Sequence, residues 1–508
     1  MTQAVKTVVI VGGGTAGWLA AAVIAAQHQS QQPDGLRVIL VESADIASVG
    51  VGEGTWPTMK NTLQQIGLKE RDLFSACHAV FKQGGKFVDW VHGNGDFYYH
   101  PFTLPLGYGR LDLAPYVDDI SQYAQSSNFQ QQICEAGLAP RTLADSEYQG
   151  QCNYAYHLDA GAFADLLKQH CKTKLGVQHL VATVQQVMLA ADGSIAGLQL
   201  SGQSLPLTAD LYVDCTGFAS LLLGQALQVP FQPVDHLLFN DSALAMQVPY
   251  TTPDAPVACH TIATAQNAGW IWDIGLTHRR GVGHVYASRF LSDDEAEHNL
   301  RRYLGPAAEG VSARKISYQS GYRQKFWQHN CVAIGMAAGF VEPLEATAIM
   351  LVEISARFVA DNLPADRSLM PLVANRFNQQ MDYRWQRILD FLKLHYMLTQ
   401  RPEPYWQAHL DVASWPSSLQ EDLALWRHRG PVIADFPSAL ELFPAASYQY
   451  VLYGMGFKPD FSPQSYLYQQ QQQASQILRR NQQLTAQLLQ SLPPHRAYIE
   501  QWLAGTRG

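Results

Sequence analysis

Three glycines and one acidic residue near the start of the chain have the spacing of a phosphate-binding turn. The apolar run 7–11 leads directly into Gly12, Gly14 and Gly17, and the alanine-rich residues that follow indicate a helix. In this pattern the first glycine makes a tight turn, the second lets the backbone approach a pyrophosphate, and the third lets the helix pack on the strand. The N–H groups at the helix start then face the negative charge. A second apolar strand ends at Glu42, where a carboxylate would bind ribose hydroxyls. The segment predicts a bound dinucleotide, and the alternative is a glycine-rich turn without function.

The elements that must position this turn alternate between strands and helices, as in an α/β protein. Strands are predicted for residues 7–11, 38–41, 181–184, 195–198, 211–217 and 331–335, and helices for residues 18–24, 59–66, 154–170 and 346–360. A hairpin turn is predicted at residues 192–193, and a loop or an edge strand at residues 96–102. The alternation of apolar and polar residues over 241–288 predicts a sheet over a pocket. The chain from Pro371 onward is predicted to be mostly helical, with the glutamine run 469–473 on a solvated helix face. We expect a Rossmann-like sheet that brings residues 12–17 and 332–335 close together.

Composition describes an ordinary globular protein. The chain has 508 residues, of which 47% are hydrophobic and 15% are charged, so it can bury a large core. The formal net charge of −8 argues against nucleic acid as the main partner. Seven cysteines at irregular spacing show no C-x-x-C pair and no metal-ligand pattern, and we interpret them as reduced cytosolic thiols, with no metal. Without a recognisable signal peptide or membrane-spanning run, we expect a cytoplasmic location.

Five short segments carry a resemblance to a known family. They are residues 12–18, where a tryptophan follows the last glycine; residues 50–53 (Gly-Val-Gly-Glu); residues 81–90, which include Lys82, Lys86 and Trp90; residues 269–274 (Gly-Trp-Ile-Trp-Asp-Ile); and residues 340–345 (Phe-Val-Glu-Pro-Leu-Glu). With these segments, the chain from its N-terminus to about Gly456 resembles the flavin-dependent tryptophan halogenases. The second segment resembles the family's flavin strap, and the fourth is similar to the W-x-W-x-I-P signature that separates halogenases from related monooxygenases.

The resemblance implies an α/β fold with α+β elements. This is the FAD-binding, Rossmann-like fold of the GR2-type flavoprotein monooxygenases and halogenases, with a mostly helical C-terminal substrate region. We expect one halogenase unit over residues 1–508, with both modules split along the chain. The FAD module is expected over about residues 1–95, 150–225 and 325–365, and the substrate module over about residues 96–149, 226–324 and 366–508.

The resemblance also implies the reaction. FAD, supplied as FADH2 by a separate NAD(P)H-dependent flavin reductase, reacts with oxygen, and a chloride or bromide ion is oxidised to hypohalous acid. This oxidant is passed to a lysine, which halogenates a free, electron-rich aromatic compound such as tryptophan, indole or another indolic small molecule. A homodimer is compatible with the sequence, which does not decide it.

Two residues match the catalytic positions of the family. Lys82 matches the catalytic lysine, whose ammonium group is a suitable partner for hypohalous acid; on its residue type alone it would be a surface lysine beside a strand. Glu345 matches a carboxylate that polarises the oxidant and removes the ring proton. The same residue also suits the first turn of a helix, and both interpretations hold together. Lys86 and Glu342 are interpreted as structural.

Cofactor and halide contacts carry over less specifically. The predicted flavin contacts are Gly12, Gly14, Thr15, Ala16, Gly17, Glu42, Gly54, Val184, Gly335, Met336 and Ile349. The halide is expected at Thr347 and Ala348, where the family usually has Thr-Gly, so the geometry of the halide site is expected to differ. Flavin hydroxylases often have aspartate at the position of Met336, and its absence here favours a halogenase.

The predicted substrate contacts are mostly aromatic. They are His100 and Phe102, which match a His-x-Phe pair that sandwiches an indole, Trp270 and Trp272, which wall the space between flavin and substrate, and Tyr450 and Tyr453. The alternatives are an aromatic surface loop for the first pair and two core tryptophans for the second. Gly275 stands where the signature has proline, and no amino-acid carboxylate contact can be aligned, so indole is as good a candidate as tryptophan.

Two other functions remain compatible with these residues. A flavin-dependent aromatic monooxygenase would use the same fold but insert oxygen without halide. A non-catalytic FAD-binding paralogue would explain Gly275 and Ala348, although it would have no need for both Lys82 and Glu345.

Overall fold

The computed structural model describes residues 4–45, 52–439 and 441–505. The chain forms two compact units, each assembled from three stretches of sequence. Unit 1 comprises Met1–Ala79, Leu158–Val234 and Gln319–Trp385, and unit 2 comprises Val80–His157, Asp235–Tyr318 and Gln386–Gly508. In the described ranges, no helix is both long and apolar enough to cross a membrane.

The strands and helices are numbered here in chain order. The strands are β1 (Thr7–Val11), β2 (Arg37–Glu42), β3 (Gly52–Gly54), β4 (Val80–Lys82), β5 (Gly84–Val88), β6 (Phe97–Pro101), β7 (Ala155–Asp159), β8 (Gln178–Val181), β9 (Val184–Leu189), β10 (Ile195–Leu200), β11 (Leu211–Asp214), β12 (Phe231–Pro233), β13 (Ser242–Pro249), β14 (Thr261–Ala265), β15 (Trp270–Gly275), β16 (Arg279–Tyr286), β17 (Arg314–Ser317), β18 (Gly321–Arg323), β19 (Trp327–Gln328), β20 (Cys331–Ala333) and β21 (Gly339–Phe340). The helices are α1 (Thr15–Gln27), α2 (Thr58–Gln65), α3 (Glu70–Cys77), α4 (Tyr123–Ser127), α5 (Gln130–Glu135), α6 (Ala160–Lys174), α7 (Asp293–Leu304), α8 (Thr347–Asp361), α9 (Met370–Leu394), α10 (Pro404–His409), α11 (Ser417–Arg429), α12 (Ala445–Gly454), α13 (Gln471–Ser491) and α14 (His495–Ala504).

The centre of unit 1 is a sheet with the strand order β19-β20-β11-β1-β2-β8. Strands β20, β11, β1, β2 and β8 are parallel, and β19 is antiparallel to β20. The apolar residues Val8, Val9 and Ile10 of β1 are completely buried, as expected for a parallel strand covered on both faces. Helix α1 packs against α6 and α8, and its alanines allow this close approach. The predicted Rossmann-like sheet is thereby confirmed.

One predicted helix in this region is wrong over its first part. Residues 155–157 belong to β7 and pair with β4, whereas the predicted helix over 154–170 begins only at Ala160. The carboxylate of Asp159 accepts a hydrogen bond of 3.0 Å from the N–H of Ala162 and so caps the start of α6. The residues before Asp159 also fit the helical spacing of apolar positions, but in the structure they are buried in strand β7. The predicted hairpin at residues 192–193 is confirmed, because β9 and β10 pair antiparallel on either side of it.

Unit 2 contains a second sheet, with the order β17-β13-β16-β15-β14-β5-β6. Only the β14–β5 pair is parallel among the described pairings of this sheet. Strand β6 lies at one edge of this sheet. Of the two structures predicted for the aromatic segment 96–102, a loop or an edge strand, the edge strand is therefore the correct one. Helix α7 covers β13 and β16 with Leu300 and Leu304, which pack against Leu244 and Val282. The predicted sheet over 241–288 is confirmed.

The C-terminal region is helical, as predicted, from α9 to α14. Helix α13 packs Leu488 against Phe129 and Ile133, while Gln471, Gln472 and Gln473 at its start are exposed. This confirms that the glutamine run lies partly on a solvated helix face.

The unit boundaries do not coincide with the predicted module boundaries. Residues 80–95 and 150–157, predicted for the FAD module, belong to unit 2. Residues 226–234, 319–324 and 366–385, predicted for the substrate module, belong to unit 1. The assignment of flavin to one module and substrate to the other stays a prediction.

A buried carboxyl group in unit 1 predicts a pH-dependent stability. Glu353 of α8 accepts hydrogen bonds from the hydroxyls of Thr62 (2.6 Å) and Thr58 (3.3 Å), and burial raises its pKa from 4.5 to about 8. The folded protein therefore retains a proton that the unfolded chain has lost above pH 4.5. Since the unfolded state binds fewer protons in this window, stability falls as pH rises, by about 1.4 kcal/mol per pH unit from this group, until pH about 8.

The Glu353→Gln variant is expected to lose this part of the slope. The measurement is the free energy of unfolding against pH for the variant and the native protein. Glu309→Gln, at an exposed position, is the control. Parallel pH curves for the native protein and Glu353→Gln would contradict the expectation.

Candidate functional site

The glycine-rich turn between β1 and α1 has no room for side chains at two of its positions. Gly12 has φ of +116°, and a Cβ atom there would lie 2.2 Å from the carbonyl oxygen of Cys215. A Cβ atom on Gly17 would lie 1.8 Å from the carbonyl oxygen of Gly12, because α1 starts directly against the turn. These contacts involve backbone atoms, which cannot rotate away. The turn therefore requires glycine at both positions.

Gly14 differs from the other two glycines. No heavy atom lies within 4 Å of the position that its Cβ atom would occupy. It is the N-cap of α1, without a side-chain cap and without an acidic residue in the first helical turn. Free space over the backbone at the positive end of a helix fits a pyrophosphate. The turn therefore fits the dinucleotide cofactor that the sequence predicts.

Glu42 at the end of β2 lies against this turn. A Cβ atom built on Gly13 would be 2.6 Å from Oε1 of Glu42. The other oxygen, Oε2, accepts hydrogen bonds from Lys168 Nζ at 3.0 Å and lies 2.8 Å from His179 Nε2. The carboxylate is thus held beside the glycine turn by two basic groups. Its binding to a ribose stays a prediction.

The strand ends of the unit 1 sheet bring further predicted flavin contacts together. Gly335 has φ of +73°, and its Cβ position is 2.9 Å from Cβ of Ala16. Met336 Cε lies 3.7 Å from the Cβ position of Gly217, which follows β11. Thr15 Oγ1 donates to the carbonyl of Ala160 at 3.4 Å. The carboxyl ends of β1, β11 and β20 thus meet where parallel α/β sheets bind ligands.

The remaining predicted flavin contacts are more dispersed within unit 1. Gly54 ends β3 and is buried, Val184 begins β9, and Ile349 is buried in α8. Within the predicted strap, Gly50 and Val51 lie outside the described residues. Burial and the nearby Asp159 raise the pKa of Glu53 to about 7.

The turn before α8 is strained at one residue. Ala346 adopts φ of +53°, in the left-handed region that alanine rarely occupies. The preceding Glu345 is 6% exposed, and its carbonyl oxygen accepts a 2.7 Å hydrogen bond from Nε1 of Trp56. Backbone strain of this kind is stored at functional sites more often than elsewhere. The positive φ falls on Ala346 and not on Ala348, which lies in the helix. The methyl group of Ala348 therefore costs no backbone strain, and the difference in halide-site geometry stays a prediction.

Lys82 is the last residue of β4 in unit 2 and is only 3% exposed. Its Nζ atom lies 5.2 Å from the ring centroid of Phe102. Burial and the Lys82 ammonium hold the pKa of His157 well below its ordinary value, so His157 is a neutral neighbour. The simple interpretation of Lys82 as a surface lysine is wrong.

Two residues that the sequence did not single out fix the strand of Lys82. Nε2 of His495 accepts a 3.2 Å hydrogen bond from the N–H of Phe81, while its Nδ1 faces the carbonyl of Val257 at 3.0 Å. The N–H of Gln83 donates to the carbonyl of Cys259 at 2.7 Å. His495 is 413 positions from Lys82 in the chain, and no local pattern could have identified it.

Lys86 differs from Lys82 in its surroundings. Its Nζ lies 2.7 Å from Oε1 of Glu135 and 4.4 Å from the ring centroid of Phe97, and its side chain is 20% exposed. Lys86 is therefore in a partly exposed ion pair, in agreement with its interpretation as a structural residue.

His100 and Phe102 lie on the same segment as β6, close to aromatic residues from the C-terminal region. Nε2 of His100 is 2.9 Å from Oγ of Ser447, and the ring lies edge-on to Phe391 with centroids 5.4 Å apart. Both His100 and Phe102 are at least nine-tenths buried, at 2% and 8% exposure. The alternative of an aromatic surface loop is wrong.

The predicted tyrosines of α12 are buried in packing contacts. The Tyr450 hydroxyl donates to the carbonyl of Thr103 at 3.0 Å and accepts from Nδ2 of Asn128 at 3.0 Å. The Tyr453 hydroxyl is buried without a hydrogen-bond partner among the described residues, and its ring lies edge-on to Tyr123. Their contact with a substrate stays a prediction.

Trp270 and Trp272 lie on β15, with ring centroids 6.5 Å apart and exposures of 1% and 7%. The Trp272 ring packs on Gly283, where a Cβ atom would be 2.2 Å from it. At Gly275, a Cβ atom would be 2.8 Å from Val257 and 3.0 Å from the Tyr250 hydroxyl. A side chain at this position would therefore require Val257 or Tyr250 to shift, whereas glycine requires no shift.

Comparisons with known proteins agree with this geometry. The family model of tryptophan halogenases matches residues 7–470. The chain is 34% identical over 519 residues to the 7-chloro-L-tryptophan 6-halogenase KtzR of Kutzneria sp. (strain 744), covering 97% of this chain and 98% of that protein. It is 30% identical over 536 residues to the tryptophan 7-halogenase RebH of Lentzea aerocolonigenes, covering 99% of each. The crystal structure of a tryptophan halogenase from Shewanella frigidimarina NCIMB 400 is similar with a TM-score of 0.94 and 44% identity, covering 99% of this chain and 98% of that one.

The fold and the glycine turn define a dinucleotide-binding α/β protein, and the similarities to tryptophan halogenases extend over nearly the whole chain. The chain belongs to the tryptophan halogenase family. It is a flavin-dependent halogenase.

Proposed function

We propose that this enzyme halogenates the indole ring of tryptophan or of another small indolic molecule, with FADH2 supplied by a separate NAD(P)H-dependent flavin reductase. The observation that carries the proposal is the buried Lys82, whose ammonium group lies 5.2 Å from the Phe102 ring centroid. Of the named relatives, KtzR is a 6-halogenase of 7-chloro-L-tryptophan and RebH is a 7-halogenase of tryptophan. Family membership alone therefore leaves the halogenated carbon of this enzyme open.

The glycine turn and the strand ends of unit 1 are the proposed flavin site. FADH2 bound there would supply two of the four electrons that reduce oxygen, and a chloride or bromide ion would supply the other two as it is oxidised to hypohalous acid. Gly14 offers open backbone to the pyrophosphate, and Gly12 and Gly17 keep the turn in the required conformation. Glu42 is positioned beside Gly13 to accept hydrogen bonds from the ribose.

Lys82 is proposed to hold and direct the oxidant. As an ammonium group, the side chain has three N–H donors for the oxygen of hypohalous acid. After losing one proton, the neutral amine can instead take the halogen to form a haloamine, and the oxygen leaves as water. Its burial limits competing water, which strengthens these interactions. The halogen then replaces a hydrogen on the ring carbon that faces Nζ, and the oxygen of the oxidant leaves as water.

His100 and Phe102 are proposed to orient the substrate ring. Aromatic rings prefer stacked or edge-on contacts, which fix both the plane and the direction of an indole. The contact of His100 with Ser447 holds the imidazole ring in one orientation. A fixed orientation decides which carbon meets the oxidant, and a shift of about 1 Å is enough to change the rate by about a hundredfold.

Glu345 is proposed as the group that accepts the ring proton after halogen attack. The residue is buried, and the hydrogen bond from Nε1 of Trp56 to its carbonyl oxygen fixes the backbone that carries the carboxyl group. A positioned general base contributes about 10²- to 10⁴-fold to a proton transfer. Thr347 and Ala348, at the first turn of α8, are proposed to bind the halide through backbone N–H groups.

The test is the mass of the product. The purified enzyme is incubated with FAD, NADH and a flavin reductase, with tryptophan or indole, and with chloride or bromide in parallel. We expect a chlorine or bromine isotope pattern on the indole ring, and no product when the reductase is omitted. A gain of oxygen alone would identify a monooxygenase, and no halogenated product from either compound would contradict the proposed substrate class.

A further inference from the structure

Three buried side chains of unit 2 that the proposed reaction does not use place metal-ligand atoms together. They are Cys134, Cys259 and His260, and the two Sγ atoms and one imidazole nitrogen lie within 4.8 Å of one another. The exposures of the three residues are 3%, 0% and 7%. All are far from the glycine turn in sequence, and none matches a residue assigned above to flavin, halide or substrate.

The fold brings these three residues together from two elements. Cys134 lies on α5, and Cys259 and His260 lie immediately before β14. Successive side chains of a strand point to opposite faces, so neighbours seldom share a site. Here the chain bends at both residues, and Cys259 Sγ lies 3.9 Å from Nδ1 of His260 and 3.8 Å from the carbonyl oxygen of Cys134.

The hydrogen bonds around His260 favour the tautomer that a metal ligand needs. The Tyr99 hydroxyl donates a short hydrogen bond to the carboxylate of Glu135, which also pairs with Lys86. Having donated its proton, the Tyr99 oxygen is an acceptor for Nε2–H of His260, which is 3.5 Å away. The lone pair of the imidazole is then on Nδ1, the nitrogen that faces Cys259 Sγ. A ligating histidine that donates its second nitrogen to a hydrogen-bonded partner is the usual arrangement at protein metal sites.

We infer that Cys134, Cys259 and His260 bind a thiophilic divalent cation of the zinc type. With metal–sulfur and metal–nitrogen bonds of about 2.3 and 2.0 Å, tetrahedral ligand atoms are separated by about 3.5–3.8 Å. The ligand atoms therefore need to approach one another by no more than about 1.0–1.3 Å from their upper separation of 4.8 Å. Two thiolates and one imidazole, with a fourth position for water, are an established zinc ligand set, and sulfur ligands disfavour magnesium and calcium.

Binding of the cation would connect two parts of unit 2, helix α5 and the segment before β14, and the second of these contacts the residue that follows Lys82. Each thiol loses its proton, so two protons are released when the cation enters. The ion links α5 to the segment before β14, and the carbonyl of Cys259 in that segment accepts the hydrogen bond from Gln83. The site therefore fixes the backbone that follows Lys82 without taking part in halogen transfer.

The test uses cobalt as a spectroscopic substitute for zinc. Chelator-treated, reduced full-length enzyme is titrated with Co²⁺, and thiolate-to-cobalt charge-transfer absorption is recorded. We expect saturation at one ion per chain and displacement of the cobalt by Zn²⁺. The Cys134→Ser/Cys259→Ser double variant is expected to lose the band, and Tyr99→Phe to bind about tenfold more weakly because His260 loses its hydrogen-bond partner.

Cys171→Ser is the matched control, since its thiol is also buried but contacts the carbonyl of Trp18 in unit 1. It should retain the cobalt spectrum. The absence of a thiolate band in the reduced native enzyme, its persistence in the double variant, or a Cys134–Cys259 disulfide in freshly purified enzyme would overturn the inference. The native titration decides the question even if the double variant does not fold, and its readout is independent of halogenation.

Discussion

Lys82→Ala is expected to lower the rate of indole halogenation by at least about a thousandfold, while flavin binding stays unchanged. A group that positions and activates a reactant typically contributes about 10²- to 10⁴-fold, and here it also holds the halogen source. The Lys82 side chain is buried and lies over the Phe102 ring, so no solvent molecule replaces its ammonium group in the same geometry. The measurement is the initial rate of halogenated product, together with the affinity for FAD from fluorescence titration.

A matched lysine is available four residues further along the chain. Lys86 is part of a half-exposed ion pair with Glu135, and Lys86→Ala should retain most of the activity. In the Lys82→Ala variant, hypohalous acid should still form and escape, and it can be detected with a chlorination-sensitive dye in solution. Equal product rates for Lys82→Ala and the native enzyme would contradict the assigned role. If the Lys82→Ala variant also failed to chlorinate the dye, its defect would lie in the formation of hypohalous acid at the flavin and not in the transfer of the halogen.

Gly17→Ala is expected to lower the free energy of unfolding by about 3 kcal/mol or more. Gly14→Ala, in contrast, should leave the free energy of unfolding nearly unchanged and weaken FAD binding by at least about tenfold. The added Cβ atom on Gly17 would lie 1.8 Å from the backbone oxygen of Gly12, so the helix must move away from the turn. The Cβ atom on Gly14 would enter open space, where the proposed pyrophosphate approaches the backbone. The two variants therefore distinguish an effect on the stability of the fold from an effect on the binding of FAD.

The measurements are thermal unfolding without added flavin and FAD titration of the folded protein. The control is Gly161→Ala, at a glycine of α6 where the added Cβ atom would meet its nearest atom, Oδ1 of Asp159, at 3.4 Å. If Gly14→Ala binds FAD as tightly as the native enzyme, the pyrophosphate does not lie over this residue. If Gly17→Ala is as stable as the native enzyme, the close packing of α1 is not required.

Much of the fold could be predicted because its signals are local. The apolar runs of β1, β2, β11 and β20 indicate parallel strands, and the glycine turn after β1 indicates the strand-to-helix connection. Prediction failed at residues 155–159, where apolar spacing fits both a helix and a strand. There the capping carboxylate of Asp159 starts the helix and the pairing with β4 decides the strand. Pairing partners distant in sequence supply that information, and a local pattern does not contain it.

The sequence by itself determined the family, the glycine turn and the identity of the residues assigned to catalysis. These three conclusions depend only on residue types and short spacings, so they can be drawn without knowing any contact between distant parts of the chain. The burial of Lys82 and the edge position of β6 were decided only by the tertiary structure, because both depend on which segments pack beside them. The same is true of the hydrogen bond from Phe81 to His495 and of the cluster formed by Cys134, Cys259 and His260. In the last two cases residues more than a hundred positions apart meet, and in all four the contact energies depend on distances that only the folded chain sets.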